Sequence, residues 1–124
     1  MIARIWHGMV PASKSEAYLE LMRTVALPEY FATQGNRGAW CLHRAEGDVT
    51  HFEMLTFWDD VDAIKRFAGD DYAQAKYYPF DSDFLIEMEP HVLHFEVHPA
   101  SSTDPSAPIP VRSKADEIAP GHRD

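Results

Sequence analysis

The sequence has one cysteine, no long hydrophobic run and few basic residues, and each shortage excludes a class of protein. The single Cys41 leaves no internal disulfide and no cysteine-based zinc site. No apolar run approaches the roughly 18 residues that span a bilayer, and no basic-then-apolar signal segment opens the chain. Lys and Arg number 11 against 20 Asp and Glu, a formal net charge of −9, which argues against nucleic acid and membrane partners. We therefore expect a soluble, cytoplasmic protein.

The composition divides the chain into one domain and a tail. The chain has 124 residues and is 45% hydrophobic, which suits a single domain with one core. We assign this domain to residues 1–98. Residues 99–124 contain five prolines and almost no aliphatic periodicity, so we expect a tail that is disordered or docked on a partner subunit.

The order of predicted elements is β-α-β-β-α-β. Residues 2–10 are apolar on both parities, which is typical of a central strand covered on both faces. A Ser13–Glu16 capping box predicts a helix over about 13–27, with one further turn to Phe31 as an alternative. Strands follow at 39–44, 51–58 and 92–98, and the first two are joined by a tight hairpin at Gly47. Between 58 and 92, Asp59 is the expected N-cap of a second helix that stops at Gly69.

This order predicts a ferredoxin-like α+β domain with an antiparallel sheet in the order 4-1-3-2. Two helices can cover only one face of such a sheet. The other face carries large apolar side chains and would be exposed in a monomer. We therefore expect a homodimer in which two sheets pack face to face.

Four stretches, IARIWHG, TQGNRG, LTFWDDVDAIKRFAG and YYPFD…PHVLHFEVH, resemble the antibiotic biosynthesis monooxygenase family of dimeric α+β-barrel proteins, over about residues 1–98. The resemblance implies a pocket in each subunit between the sheet and its helices. It also implies oxidation of a small electron-rich aromatic (a phenol, quinol or anthrone) by O₂ without metal, flavin or other cofactor. Haem-degrading members use an Asn, a Trp and a His where this chain has His7, Phe67 and Tyr77, so haem degradation of that type is not expected. Two alternatives remain: a non-catalytic barrel that binds a small ligand in a stress role, and an isomerase or lyase in the same pocket.

His7 is the candidate catalytic base, since the resemblance places a polar pocket group at its position. An imidazole titrates near working pH and can accept a phenolic proton. The alternative is a histidine hydrogen-bonded to a backbone carbonyl.

Five aromatic side chains are candidates for substrate binding: Trp58, Phe67, Tyr72, Tyr77 and Tyr78. Aromatic rings offer a planar substrate stacking area, and tyrosine adds a hydroxyl group. Alternatively, the tyrosines pack the second helix onto the sheet, and Trp58 is a core residue. Adjacent tyrosines such as Tyr77 and Tyr78 are expected to point in different directions.

Other polar residues point less clearly to chemistry. His94 and His98 are four apart, about 13 Å along a strand, too far to share one metal ion, so no metal site is assigned. A cross-strand set that joins His51 or His94 to Glu53 or Glu96 is the remaining metal alternative. Arg4 is expected to form a buried ion pair with Glu53 or Glu96.

Overall fold

An antiparallel sheet forms the centre of the computed structural model, which describes residues 1–100. The strands are β1 (Ile2–Pro11), β2 (Asn36–Glu46), β3 (Val49–Trp58) and β4 (Leu93–Glu96). Their order is β2-β3-β1-β4, which confirms the predicted order and the central position of β1. Of the predicted tail, residues 101–124 lie outside the described residues.

The first helical segment includes the further turn that was the alternative prediction, and it is less regular than predicted. It consists of α1 (Ser15–Leu21), a π-helical turn (Met22–Ala26) and α2 (Leu27–Ala32), and a short 3₁₀ turn (Ala12–Lys14) precedes it. The predicted capping box is wrong, because α1 has no side-chain cap and the Ser15 hydroxyl donates to the carbonyl of Ala12. Pro28 does not end the helix, since it occupies the first turn of α2, where its missing N–H costs little. No helix within residues 1–100 is long and apolar enough to cross a membrane.

The second helix, α3 (Val61–Ala68), begins one residue later than predicted. Its N-cap is Asp60, whose carboxylate accepts a 2.9 Å hydrogen bond from the N–H of Ala63. The predicted cap, Asp59, pairs instead with Arg37 at 3.0 Å. Gly69 ends the helix as predicted, with a φ of 90° that favours glycine.

The two faces of the sheet differ in what covers them. Alternate residues of β1 and β3, such as Trp6 and Phe52, are buried against the helices in the core. The opposite face, which we call the open face, keeps large apolar side chains exposed: Trp40, Leu42, Leu93 and Phe95, at 47%, 45%, 61% and 50%. The predicted uncovered apolar face is therefore present.

β4 is short and pairs with only the first half of β1. β4 pairs with β1 only over Ile2–Ile5. The segment 84–91, which follows a 3₁₀ turn (Pro79–Asp83), covers the rest, and the N–H of Ile86 donates to the carbonyl of Met9 at 2.8 Å. This segment brings glutamates beside the second half of β1.

Candidate functional site

His7 lies on the open face of the sheet, not between the sheet and the helices. Its neighbours on β1, Trp6 and Gly8, face the helices and are buried, and strand alternation turns His7 the other way. The pocket implied by the resemblance is thus not where His7 lies. The side chain of His7 is 28% exposed, so a small molecule has access to it from the open face.

His7 belongs to a hydrogen-bonded chain of four side chains. Its Nδ1 lies 2.6 Å from a carboxylate oxygen of Glu89, and its Nε2 lies 3.0 Å from Nδ1 of His51. Nε2 of His51 lies in turn 2.6 Å from a carboxylate oxygen of Glu46. We call this chain the Glu89–His7–His51–Glu46 relay. It runs across the open face from the 84–91 segment to the β2–β3 hairpin.

Tyr77, in the loop after α3, supports the relay through Glu89. Tyr77 donates its hydroxyl hydrogen to the backbone carbonyl of Glu89, and its ring packs edge-on against Trp6 with centroids 6.1 Å apart. Burial, with the charge of Glu89, raises the pKa of Tyr77 to about 12. Tyr77 therefore stays a neutral donor at ordinary pH and holds in place the backbone that carries Glu89.

A depression of about 280 Å³ opens on the open face above the two histidines. Its lining includes both rings and one apolar side chain, in full His7, Leu42, His43, Arg44, His51 and Glu53. This volume lies just below the range for small-ligand sites, about 300–1,000 Å³.

The helix side of the sheet is filled by aromatic side chains. Trp58 is fully buried and Phe67 nearly so, and Phe67 stacks on Tyr30 with centroids 4.3 Å apart. The cavity between the sheet and the first helical segment has a volume of about 10 Å³, room for about one water molecule. Trp58 and Phe67 are therefore core residues here, and their predicted contact with a substrate stays a prediction.

The remaining two predicted tyrosines also lie away from His7. Tyr72 packs edge-on against His94, with centroids 5.3 Å apart. Tyr78 donates its hydroxyl hydrogen to Glu29, and burial together with this hydrogen bond raises the pKa of Tyr78. Within residues 1–100, Tyr77 is the only one of the five predicted aromatics that forms a hydrogen bond with a residue of the relay.

The expected ion pair of Arg4 is not found in the described part of the chain. Arg4 faces the helices and is 1% exposed. Its guanidinium donates to the carbonyl of Gln74 at 3.2 Å and lies 5.6 Å from the centre of the Phe67 ring. Burial lowers its pKa, and the nearby Tyr30 opposes that shift. The residue is a buried structural cation instead of one half of a salt bridge.

Sequence reasoning missed Glu89 and Glu46 and gave His51 only as a metal alternative. Glu89 is 82 residues from His7 and lies in a loop without periodicity. A signal for His51 was present, because antiparallel pairing of Gly8 with Phe52 brings the two histidines to the same face. Within residues 1–100, no group of three or more potential ligands is arranged to hold a metal ion.

Comparison with known proteins supports the fold. No family model and no curated protein matches the chain. A mutant of MhuD, solved with two manganese protoporphyrin IX molecules bound per active site, is similar in structure, with a TM-score of 0.50 and 18% identity over 78% of this chain and 94% of that one. An uncharacterized NIPSNAP domain protein from Burkholderia xenovorans has a TM-score of 0.51 and 20% identity over 84% of this chain and 100% of that one. The chain thus has the ferredoxin-like α+β fold of these structures.

Proposed function

We propose that this protein is a homodimeric, cofactor-independent monooxygenase of the antibiotic biosynthesis monooxygenase type. Its substrate is a small aromatic molecule with an acidic hydrogen, such as a phenol, quinol or anthrone. The observation that carries the proposal is the position of His7, which is partly exposed beside an apolar sheet face and held by a carboxylate on Nδ1. A histidine oriented in this way is a typical general base.

The open face supplies the binding surface. Leu42 lines the depression beside His7, and apolar side chains such as Trp40 continue the face beyond it. Packing a second copy on this face would cover the apolar area and exclude water from the depression. Exclusion of water protects the carbanion or phenolate that the base generates.

The chemistry balances without a metal or flavin. The base removes a proton from the acidic C–H or O–H bond, and the resulting anion supplies electrons to O₂ as a carbon–oxygen bond forms. When the O–O bond of the peroxide breaks, one oxygen stays on carbon and the other leaves as water. For an anthrone, a CH₂ group and O₂ become a carbonyl group and H₂O, so all four electrons come from the substrate.

A porphyrin is a poor candidate for the helix side of the sheet. The MhuD mutant binds manganese protoporphyrin IX, but the cavity lined here by Trp6, Tyr18 and their neighbours is about 10 Å³. That volume is far below the roughly 300 Å³ of the smallest ligand pockets. The filled helix side instead favours the second candidate, a non-catalytic barrel that binds a small ligand on the open face.

Oxygen uptake with a panel of quinols and anthrones tests the proposal. We expect the His7→Gln variant to lose about 10²-fold or more in kcat/KM, since a positioned base contributes roughly that much. His98→Gln serves as a matched control, because its side chain is 83% exposed and lies outside the depression. Unchanged turnover in His7→Gln would remove His7 as the base. Binding without oxygen uptake would favour the non-catalytic alternative, and conversion without oxygen uptake would favour an isomerase or lyase.

A further inference from the structure

The three hydrogen bonds of the relay need three donated protons, whereas two neutral imidazoles have only two N–H groups. A carboxylate can only accept a hydrogen bond, so Nδ1 of His7 donates to Glu89 and Nε2 of His51 donates to Glu46. The hydrogen bond from His51 lowers the pKa of the Glu46 carboxyl, and Arg44 adds to the effect, which keeps Glu46 an acceptor.

Two nitrogen atoms then face each other with no proton assigned. Nε2 of His7 and Nδ1 of His51 are 3.0 Å apart, the usual length of a hydrogen bond. In neutral rings whose other nitrogens carry the protons, both of these atoms would present lone pairs. The contact therefore requires a third proton, shared between the two rings.

We infer that His7 and His51 act together as one base, which stores the substrate proton between Nε2 of His7 and Nδ1 of His51. Without the shared proton, the two lone pairs converge on one point at the floor of the depression. A substrate hydrogen placed there is transferred as its C–H or O–H bond breaks. The shared proton returns to the oxygen that leaves as water. This inference rests on the proposed function and adds His51 to the catalytic residues.

The outer carboxylates are positioning residues in this scheme. Glu89 and Glu46 fix each ring so that its free nitrogen points at the other ring. Glu89 is itself held by Tyr77 through its backbone carbonyl. The sheet thus supplies the two rings, and the 84–91 segment and the end of β2 supply the carboxylates that orient them.

Several other charged groups face the histidine pair. Arg44 pairs with His51 across β2 and β3, and Glu53 pairs with His7 across β3 and β1. Three carboxylates, those of Glu89, Glu46 and Glu53, surround the pair, which carries one positive charge when the shared proton is present. The positive charge of Arg44 acts against theirs. His43 also lines the depression. The pair acts as a base only in the form that lacks the shared proton.

Nitrogen NMR of the histidine rings tests the shared proton without any substrate. As the pH is raised, we expect Nδ1 of His7 and Nε2 of His51 to stay protonated in the wild type. The chemical shifts of the two facing nitrogens, Nε2 of His7 and Nδ1 of His51, should change together as the one shared proton is lost. In His51→Asn, the amide keeps a hydrogen-bonding group near the Nδ1 position but cannot hold the proton. The nitrogen shifts of His7 should then no longer change together with those of a second ring, the change that we call the coupled step. His98→Asn, which alters an exposed histidine, should leave both rings unchanged.

Oxygen uptake measured against pH tests the catalytic role. We expect His51→Asn to lower kcat/KM about 10²-fold and to alter the acidic limb of the pH profile, while His98→Asn alters neither. If substrates are oxidised but the rings take up protons independently, and His51→Asn keeps the wild-type rate and profile, the inference fails and the proposed function stands. If the coupled step is present but no substrate is oxidised, the proposed function fails, and with it the catalytic role of His51; only the shared proton remains.

Discussion

The exposed ring of Phe95 gives a quantitative test of the proposed dimer. Phe95 is 50% exposed on the open face. An aromatic side chain can bury about 150–250 Å², so about 100 Å² remains for a partner to cover. At about 25 cal/mol per Å² this area corresponds to about 2.5 kcal/mol per protomer, of which Phe95→Ala removes about 2 because the alanine methyl group keeps the rest. A two-fold interface uses the residue twice, and the total of about 4 kcal/mol is a roughly thousandfold weaker dimer.

Phe31 provides the matched control. It lies on α2, on the helix side of the sheet, and is 86% exposed. Phe31→Ala therefore removes the same side chain from a more exposed position that the face-to-face dimer does not use. Light scattering across a protein dilution series gives the mass and the dissociation constant of each variant. A wild-type monomer at tens of micromolar (where a stable dimer with an interface of about 1,600 Å² is assembled), or equal dissociation constants for the two variants, would refute the face-to-face arrangement.

The remaining predictions concern the support of the fold. Gly35→Ala should lower the free energy of unfolding in urea by more than about 2 kcal/mol, because φ is 94° and a new Cβ would lie 2.4 Å from the Cβ of Ala63. The control Gly47→Ala, where φ is 62° and the space is open, should lower it by only about 1 kcal/mol. Equal losses of unfolding free energy in the two variants would show that the backbone near Gly35 shifts to make room for the new Cβ. Tyr18→Phe should cost about 1.5–3 kcal/mol, since it leaves the buried Asp81 carboxyl without its 2.8 Å donor. Burial raises the pKa of Asp81 above 3.8 despite two hydrogen bonds, so its favourable contribution is present below about pH 3.8 and is lost as pH rises through the raised pKa. Urea unfolding of Asp81→Asn at several pH values should show that this slope is gone, and an unchanged slope would place it elsewhere.

The sheet could be predicted because its strands are rich in β-branched and aromatic residues and are bounded by turn residues. The order of elements and the apolar content of β1 on both parities were enough to place β1 at the centre. The cap of α3 was missed by one residue because Asp59 and Asp60 are equivalent as residue types. Their difference is a matter of backbone geometry, since Asp60 has the extended conformation of a cap and Asp59 reaches Arg37.

The site was predicted less well because its decisive contacts are remote in sequence. Nothing near His7 indicates that Glu89 will reach it, since the loop that carries Glu89 follows an unpaired strand edge created by the short β4. The environment of Arg4 was equally hidden, because a backbone carbonyl and an aromatic ring leave no charge pattern. Residue type alone favoured an ion pair, and the fold supplied other partners.

The filled helix side of the sheet links catalysis to dimerisation. With about 10 Å³ between the sheet and the first helical segment, the proposed substrate does not fit there, and the depression beside His7 on the open face is the site that we propose for it. That face is shielded from water only when a second copy covers it, so the monomer should bind substrate poorly and protect no carbanion. Phe95→Ala should therefore lose specific oxygen-uptake activity on dilution and regain it at concentrations that restore the dimer. Phe31→Ala should keep the wild-type concentration dependence. Constant specific activity of Phe95→Ala across the range where light scattering shows dissociation would place the reaction within a single subunit.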